Sequence, residues 1–139
     1  MTLQVSITTP EGLLHKGEAV KVVVPAHDGE LGILPRHAAL VGALGAGELR
    51  VSPAGGSAPL SFFVAGGFVQ VLQDRVLVLA TQAFPAALSD AAAAEEALRG
   101  LLSESLPKDA LPAIKEDHDR KVQAAKARVR YAAKKKAAG

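Results

Sequence analysis

Leu60-Ser61-Phe62-Phe63-Val64-Ala65-Gly66-Gly67-Phe68-Val69-Gln70-Val71-Leu72 and, after Gln73-Asp74-Arg75, Val76-Leu77-Val78-Leu79-Ala80 decide the fold class. These two runs are dense in valine, phenylalanine and leucine, residues that fit a pleated, half-buried surface. They predict strands over Leu60–Ala65, Phe68–Leu72 and Val76–Ala80. Toward the N-terminus the same period of two recurs in Leu3–Thr8, Ala19–Val24, Leu40–Leu44 and Glu48–Val51. Pro10-Glu11-Gly12, Asp28-Gly29, Gly45-Ala46-Gly47 and Pro53-Ala54-Gly55-Gly56 supply turn chemistry between them. No helix of useful length fits before Phe84. Short strands with frequent turns predict an antiparallel β-sandwich over residues 1–85.

Beyond Phe84-Pro85 the composition changes to alanine, leucine, lysine and glutamate, all strong helix formers. Residues 86–139 therefore form a second domain, read as an α-helical hairpin. Ser89 or Asp90 caps the first helix, with acidic side chains early where the dipole favours them. Leu98, Leu101, Leu102 and Leu106 form its apolar face. Leu106-Pro107-Lys108-Asp109 makes the turn, because a residue before proline resists helical geometry. The second helix begins near Asp109, with Pro112 tolerated in its first turn. Leu111, Ile114, His118, Val122, Ala125, Val129 and Ala132 fall on one narrow stripe. So little apolar area predicts a shallowly packed appendage of low stability.

Charge is lopsided. Between Pro85 and Asp119 acids predominate, whereas from Arg120 onward no acid remains and Arg120, Lys121, Lys126, Arg128, Arg130, Lys134, Lys135 and Lys136 are all basic. An extended hairpin would offer this cationic rod to an acidic partner.

Several function classes are excluded by composition. The chain of 139 residues has no cysteine, which removes disulfides, thiolate metal sites and cysteine nucleophiles. His15, His27, His37 and His118 show no ligand pairing at helical spacing. His27-Asp28 is the nearest thing to an acid–base pair, but neighbours on a turn point apart and no activated serine accompanies them. Gly42, Gly45 and Gly47 lie among strands, without the strand–loop–helix context of a phosphate loop. No run approaches the apolar length of a membrane span, and the first residues alternate as a strand does rather than forming an export signal. The chain is expected to be non-catalytic and soluble, without metal or cofactor and without direct membrane insertion.

Asp28-Gly29-Glu30-Leu31-Gly32-Ile33-Leu34-Pro35-Arg36-His37-Ala38 closely resembles the Gly-Glu-Leu-Gly-Ile-x-Pro-x-His-Ala signature of F-type ATP synthase epsilon subunits. Pro10-Glu11-Gly12, Gly45-Ala46-Gly47-Glu48-Leu49 and Phe63-Val64-Ala65-Gly66-Gly67-Phe68-Val69-Gln70-Val71 follow in that family's order. The resemblance implies a sandwich that binds the gamma subunit and sits on the c ring, so that the three turn as one rotor. It also implies a helical arm able to extend along gamma toward the catalytic beta and alpha subunits and inhibit ATP hydrolysis. Peripheral attachment to the cytoplasmic face of the bacterial inner membrane is implied with it.

Carried over by position, Glu30 falls where the family meets the polar loops of the c ring, and His37 in the region facing gamma. The plain alternatives are a solvated turn acid and a hydrogen-bonded packing residue. Arg120, Lys121, Lys126, Arg128 and Arg130 are the candidates for the arm's inhibitory contacts, the alternative being a solvated helix face. Some members bind ATP through an Ile/Leu-Asp-x-x-Arg-Ala motif at the first helix. Here Asp90 is retained, but Ser89 and Ala93 replace the aliphatic residue and the arginine. Alanine cannot pair with phosphate, so weak or absent ATP binding is expected. A rival reading is a nucleic-acid or ribosome-binding module using the basic tail, to which a pI near 9.0 lends superficial support. Tyr131 is that tail's one aromatic, and its bases alternate with apolar residues, so no nucleic-acid partner is expected.

Overall fold

Leu3, Val5 and Ile7, alternate residues of the first strand, β1 (Leu3–Thr9), are at most 1% exposed, as the period of two requires of a strand with one dry face. The computed structural model describes residues 1–26, 28–86, 90–104 and 106–138. It comprises two compact units, Met1–Ala87 and Leu88–Gly139. The first unit continues with β2 (Gly12–Ala26), β3 (Gly29–Ile33), β4 (Leu40–Ala43), β5 (Ala46–Pro53), β6 (Leu60–Leu72) and β7 (Arg75–Pro85).

Strand pairing runs β1–β7–β6–β5–β2–β3, with β1 also pairing β2 and β4 pairing β6. The path from β1 through β7, β6, β5 and β2 thus closes on β1. Closure is possible because two strands change partners along their length. β2 pairs β1 through residues 12–19 and β5 and β3 through residues 19–26. β6 pairs β5 through residues 60–65 and β4 through residues 68–71. The result is a β-sandwich whose interior is aliphatic, with Leu3, Ile7, Val22, Val24, Ile33 and Leu49 among its fully buried members.

The sandwich and the hairpin agree with the expected fold class, while details of the strands do not. Leu60–Ala65 and Phe68–Leu72 are one strand bent at Gly66-Gly67, not two. Gly29–Ile33, read only as turn and motif, is a strand, because its partner Val22–Ala26 supplies the pairing that its own glycines do not signal. One pairing is parallel: β1 runs alongside β7 with Val5 opposite Val76. The interval between these strands is occupied by all the others, so no hairpin rule dictates their direction.

His15, on β2 opposite Ile7, packs its ring 5.4 Å from that of Phe62. Burial holds its imidazole below the usual value of 6.5, since desolvation disfavours the charged form. A depressed value means that the unfolded chain binds the extra proton first. Stability is therefore full above pH ~6.5 and falls as the pH drops through the folded value. Urea midpoints of the full chain are expected to decline more between pH 7.5 and pH 5 in the wild type than in His15→Phe. Equal declines would refute the assignment.

The second unit holds α1 (Ala91–Ser103) and α2 (Pro112–Ala138), packed against one another. Asp90 is the N-cap of α1, its Oδ1 accepting from the amides of Ala92 at 3.0 Å and Ala93 at 3.3 Å. Ser89, the alternative cap, lies outside the described residues. Contrary to expectation, no acid sits in the first turn of α1; Glu95 and Glu96 fall one turn later. The apolar stripe of α2 is only partly used. Val122, Ala125 and Ala132 are buried, whereas Leu111 and Ile114 are 65% and 49% exposed. The reason is length: at ~1.5 Å per residue α2 is about 20 Å longer than α1. Ala127 and Tyr131, off that stripe, are buried as well. His118, read as a packing residue, is half-buried, and its Nδ1 lies 3.3 Å from Glu104 Oε2 beyond the end of α1.

Candidate functional site: a polar edge, a tied turn and an apolar face

Glu30 stands on β3 opposite Pro25 of β2, at one end of the strand order. Its carboxylate is not simply a solvated turn acid, because Arg50 Nη2 of β5 approaches Oε2 at 3.4 Å. Arg50 also reaches Glu48 Oε1 at 3.2 Å, and Glu48 Oε2 accepts from Ser61 Oγ at 2.7 Å. Two carboxylates share one guanidinium. The Glu30–Arg50 pair is well exposed, so it contributes only about 0–1 kcal/mol; its consequence is orientation. Twenty residues separate Glu30 from Arg50, and no sequence spacing marks them as partners. Only the register of β3, β2 and β5 brings them together.

His37 follows in a tight turn. Its amide donates to Leu34 O at 3.1 Å, with Pro35 second and Arg36 third at a φ of 68°. Proline followed by a positive φ is the pattern of a type II turn, which ordinarily takes glycine where Arg36 stands. The His37 ring places Nδ1 2.8 Å from Ala38 O. A carbonyl can only accept, so Nδ1 carries the proton in this contact. Glu30 and His37 each have their own hydrogen-bonding or ionic neighbour, and no bond links the two among the described residues.

Across β4, β6 and β7 the outward face is largely apolar, broken by Gln70 at its centre and by Arg75 opposite Leu72. Phe68 lies opposite both Ala43 and Leu79, while Val41 and Leu77 flank Gln70. Val41, Phe68, Leu72 and Leu79 are 70%, 58%, 48% and 47% exposed. Contiguous exposed apolar surface of this kind marks an interaction site more often than scattered single residues do. Alternation along β6 already placed Phe68 and Leu72 opposite in sense to Val69 and Val71. Their exposure is what the sequence leaves open, because a strand apolar on both faces reads as fully buried.

On α2 the basic candidates do not share a face. At about 100° per residue, Lys121 and Arg128 flank one side of the Val122–Ala132 stripe, Lys126 and Arg130 the other, and Arg120 points away from it. Lys121 pairs with Asp117 at 3.3 Å, one turn back. Arg120 and Arg130 are exposed; Lys126 and Arg128 are half-buried. Asp90 is engaged in capping, and Ala93, where the nucleotide motif requires arginine, supplies an amide to it.

Little here suggests catalysis. Among the described residues no group of three His, Asp or Glu side chains could hold a metal ion. His27, half of the His27-Asp28 pair, lies outside the described residues. A shallow groove of about 410 Å³ between the β1–β2 turn and the end of β7 is lined by Thr9, Glu11, Leu14, Thr81 and Phe84 among others, with no nucleophile–base pair. Among the described residues no helix is long and apolar enough to cross a membrane.

Comparison with known proteins gives these features a context. The family model described as "ATP synthase, Delta/Epsilon chain, beta-sandwich domain" matches residues 2–86. The ATP synthase epsilon chain of Halorhodospira halophila is 45% identical over 98 residues, 70% of either chain. That of Alkalilimnicola ehrlichii is 45% identical over 98 residues, 70% of this chain and 69% of the relative. That of Solibacter usitatus is 42% identical over 105 residues, 76% of this chain and 77% of the relative. Nothing among these relatives supports the nucleic-acid reading. In overall fold the chain is similar to one in the cryo-EM structure of the Euglena gracilis mitochondrial ATP synthase, OSCP/F1/c-ring. The TM-score is 0.73 at 20% identity, covering 91% of this chain and 78% of that one. It is also similar to a chain of the Tetrahymena thermophila mitochondrial ATP synthase central stalk and c ring, with a TM-score of 0.57 at 16% identity and 96% of both chains covered.

Proposed function

Since this chain belongs to the delta/epsilon family of ATP synthase chains, and is thereby a non-catalytic subunit of a rotary, membrane-associated complex, we propose that its β-sandwich is the joint between the gamma subunit and the c ring. The supporting observation is the exposed apolar face of Val41, Phe68, Leu72 and Leu79. A soluble chain that worked alone would gain nothing by leaving that surface wet, whereas a subunit clamped to a shaft buries it. Glu30, oriented by Arg50 on the β3 edge, is the contact offered to the polar loops of the c ring. His37 faces gamma. The chain works at the cytoplasmic face of the bacterial inner membrane as a peripheral component.

The helical unit is the regulatory arm. Bases on both sides of the α2 stripe could pair with acidic segments of the beta and alpha subunits while the stripe packs between them. Because Ala93 replaces the arginine of the nucleotide motif and Asp90 is occupied as a cap, the arm responds to contacts with its neighbours rather than to bound ATP.

One purification tests both parts. The complex is isolated through a tag on this chain, with and without Leu111–Gly139. Both preparations are expected to contain gamma and the c ring at one copy of this chain per complex, and the shortened one to hydrolyse ATP several-fold faster. Absence of gamma would refute the joint. An unchanged hydrolysis rate would refute the inhibitory arm.

A further inference from the structure

Among the described residues three that are not glycine have positive φ: Arg36 at 68°, Gln73 at 49° and Asp74 at 61°. Left-handed backbone costs an ordinary L-residue about 1–2 kcal/mol, so such residues are normally scattered and few. Here all three meet at one corner. Gln73 and Asp74 form the two-residue turn between β6 and β7, with Leu72 opposite Arg75. Two positive φ values make it the type I′ turn that usually takes Asn-Gly. Arg36 holds the third position of the Leu34–His37 turn. The two turns are joined, since the Arg36 amide donates to Asp74 Oδ1 at 2.6 Å across 38 residues of sequence. Asp74 O in addition accepts from the Gln4 amide at 2.8 Å. One residue thus bonds the β6–β7 turn to the start of β1 through its backbone and to the Arg36–His37 loop through its side chain.

We propose that Asp74 is a positioning residue for the partner-facing loop. Its carboxylate, by accepting the Arg36 amide, fixes the Leu34–His37 turn in its left-handed form and so sets how Arg36 and His37 are presented to the neighbouring subunit. The proposal rests on the reading above that this loop faces gamma. Three features support it physically. The bond is short and charge-assisted, which makes it stronger than a neutral one. It stands against local strain, and strain of this kind persists only where the surroundings over-determine it. The anchor is itself rigid, because the β6–β7 turn closes the longest antiparallel ladder of the sandwich, from Phe62–Pro85 to Leu72–Arg75. The apolar face of Phe68, Leu72 and Leu79 ends at this same turn, so a tied loop and an apolar patch adjoin at one border of the proposed joint.

The substitution that isolates the carboxylate is Asp74→Gly, because glycine accepts a φ of 61° without penalty while removing the acceptor. Asp74→Asn keeps an oxygen acceptor and tolerates the left-handed region. In the full chain, amide exchange at Arg36 is expected to speed up about tenfold or more in Asp74→Gly and to return toward wild type in Asp74→Asn. Thermal midpoints of both should stay within a few degrees of wild type. Affinity for the purified gamma subunit of the same complex is expected to fall about tenfold in Asp74→Gly and to recover in Asp74→Asn. Unchanged Arg36 exchange in Asp74→Gly would overturn the proposal, as would unchanged gamma affinity. His37→Ala separates the two failures. If it weakens gamma binding while Asp74→Gly does not, only the positioning role is lost. If neither variant matters, the gamma-facing assignment of the loop fails and the positioning role fails with it.

Discussion

Replacing Gly67 with alanine is expected to cost about 3–5 kcal/mol, a large share of the ~5–15 kcal/mol that holds an ordinary domain together. Gly67 sits at the bend of β6, where the strand leaves β5 and takes up β4 as its partner. Its φ is +104°, and a Cβ built there would lie 1.9 Å from Leu79 O and 3.0 Å from the Ala80 Cα. These neighbours are backbone of β7, paired to Gly67 in register, and cannot swing aside as a side chain would. On the other side, the Gly67 carbonyl accepts from the Leu44 amide at 2.9 Å, which docks the β4–β5 corner onto the bend. Backbone strain of ~1–3 kcal/mol and overpacking of ~1–3 kcal/mol act together at one atom. Gly66→Ala should be milder: its φ of +74° carries similar backbone strain, but its new Cβ would meet only the side chain of Thr81, at 3.2 Å from Oγ1 and 3.5 Å from Cβ, and no backbone. Urea denaturation of the full-length chain measures both. A Gly67→Ala midpoint near that of wild type would show that the close approach of β6 to β7 is not obligatory.

A second large effect is expected on association and not on folding. Glutamate at both Val41 and Phe68 should leave the isolated chain as stable as wild type to within about 1 kcal/mol, because both side chains point into solvent and surface changes are usually small. In the proposed joint the same pair would place two carboxylates in a dry apolar contact. Forfeiting ~1.5–3 kcal/mol of burial for each side chain, with the desolvation of charge added, predicts at least a 100-fold loss of affinity for the gamma subunit, roughly. Titration calorimetry of the full chain against purified gamma reads this directly. Matching folding stability with unchanged affinity would move the joint away from the β4–β6–β7 face. Lys21→Glu on β2, exposed and paired with Ser52 of β5 rather than with a strand of the patch, serves as the comparison because it changes charge away from β4, β6 and β7.

Both outcomes turn on features of unequal visibility in the chain itself. Gly66-Gly67 is conspicuous between two apolar runs, yet on sequence it separates two strands as naturally as it bends one. Glycine permits either, and the choice falls to whether β7 is long enough to pair on both sides of it. Val41 and Phe68 alternate correctly for a face, but alternation names a side without saying whether that side is wet. Glu30 stands out within its motif, while Arg50, which orients it, and Asp74, which ties the loop beside it, carry no local mark.

What the amino-acid order determined by itself is everything governed by short range. The period of two before Phe84 and the helical composition after it set the division into sandwich and hairpin, because side-chain alternation and helix propensity act over a few residues. A cap at Ser89 or Asp90 and the turn at Pro107 follow from local backbone preference in the same way, the structure choosing Asp90. Tertiary structure alone decided the parallel union of β1 with β7, the closure of the strand circuit, the Glu30–Arg50 pair, the Arg36–Asp74 tie and the exposure of Leu111 and Ile114. Each of these joins residues far apart in the chain, or depends on how far one element outruns its neighbour. A residue's own preferences carry no information about which distant partner will arrive beside it.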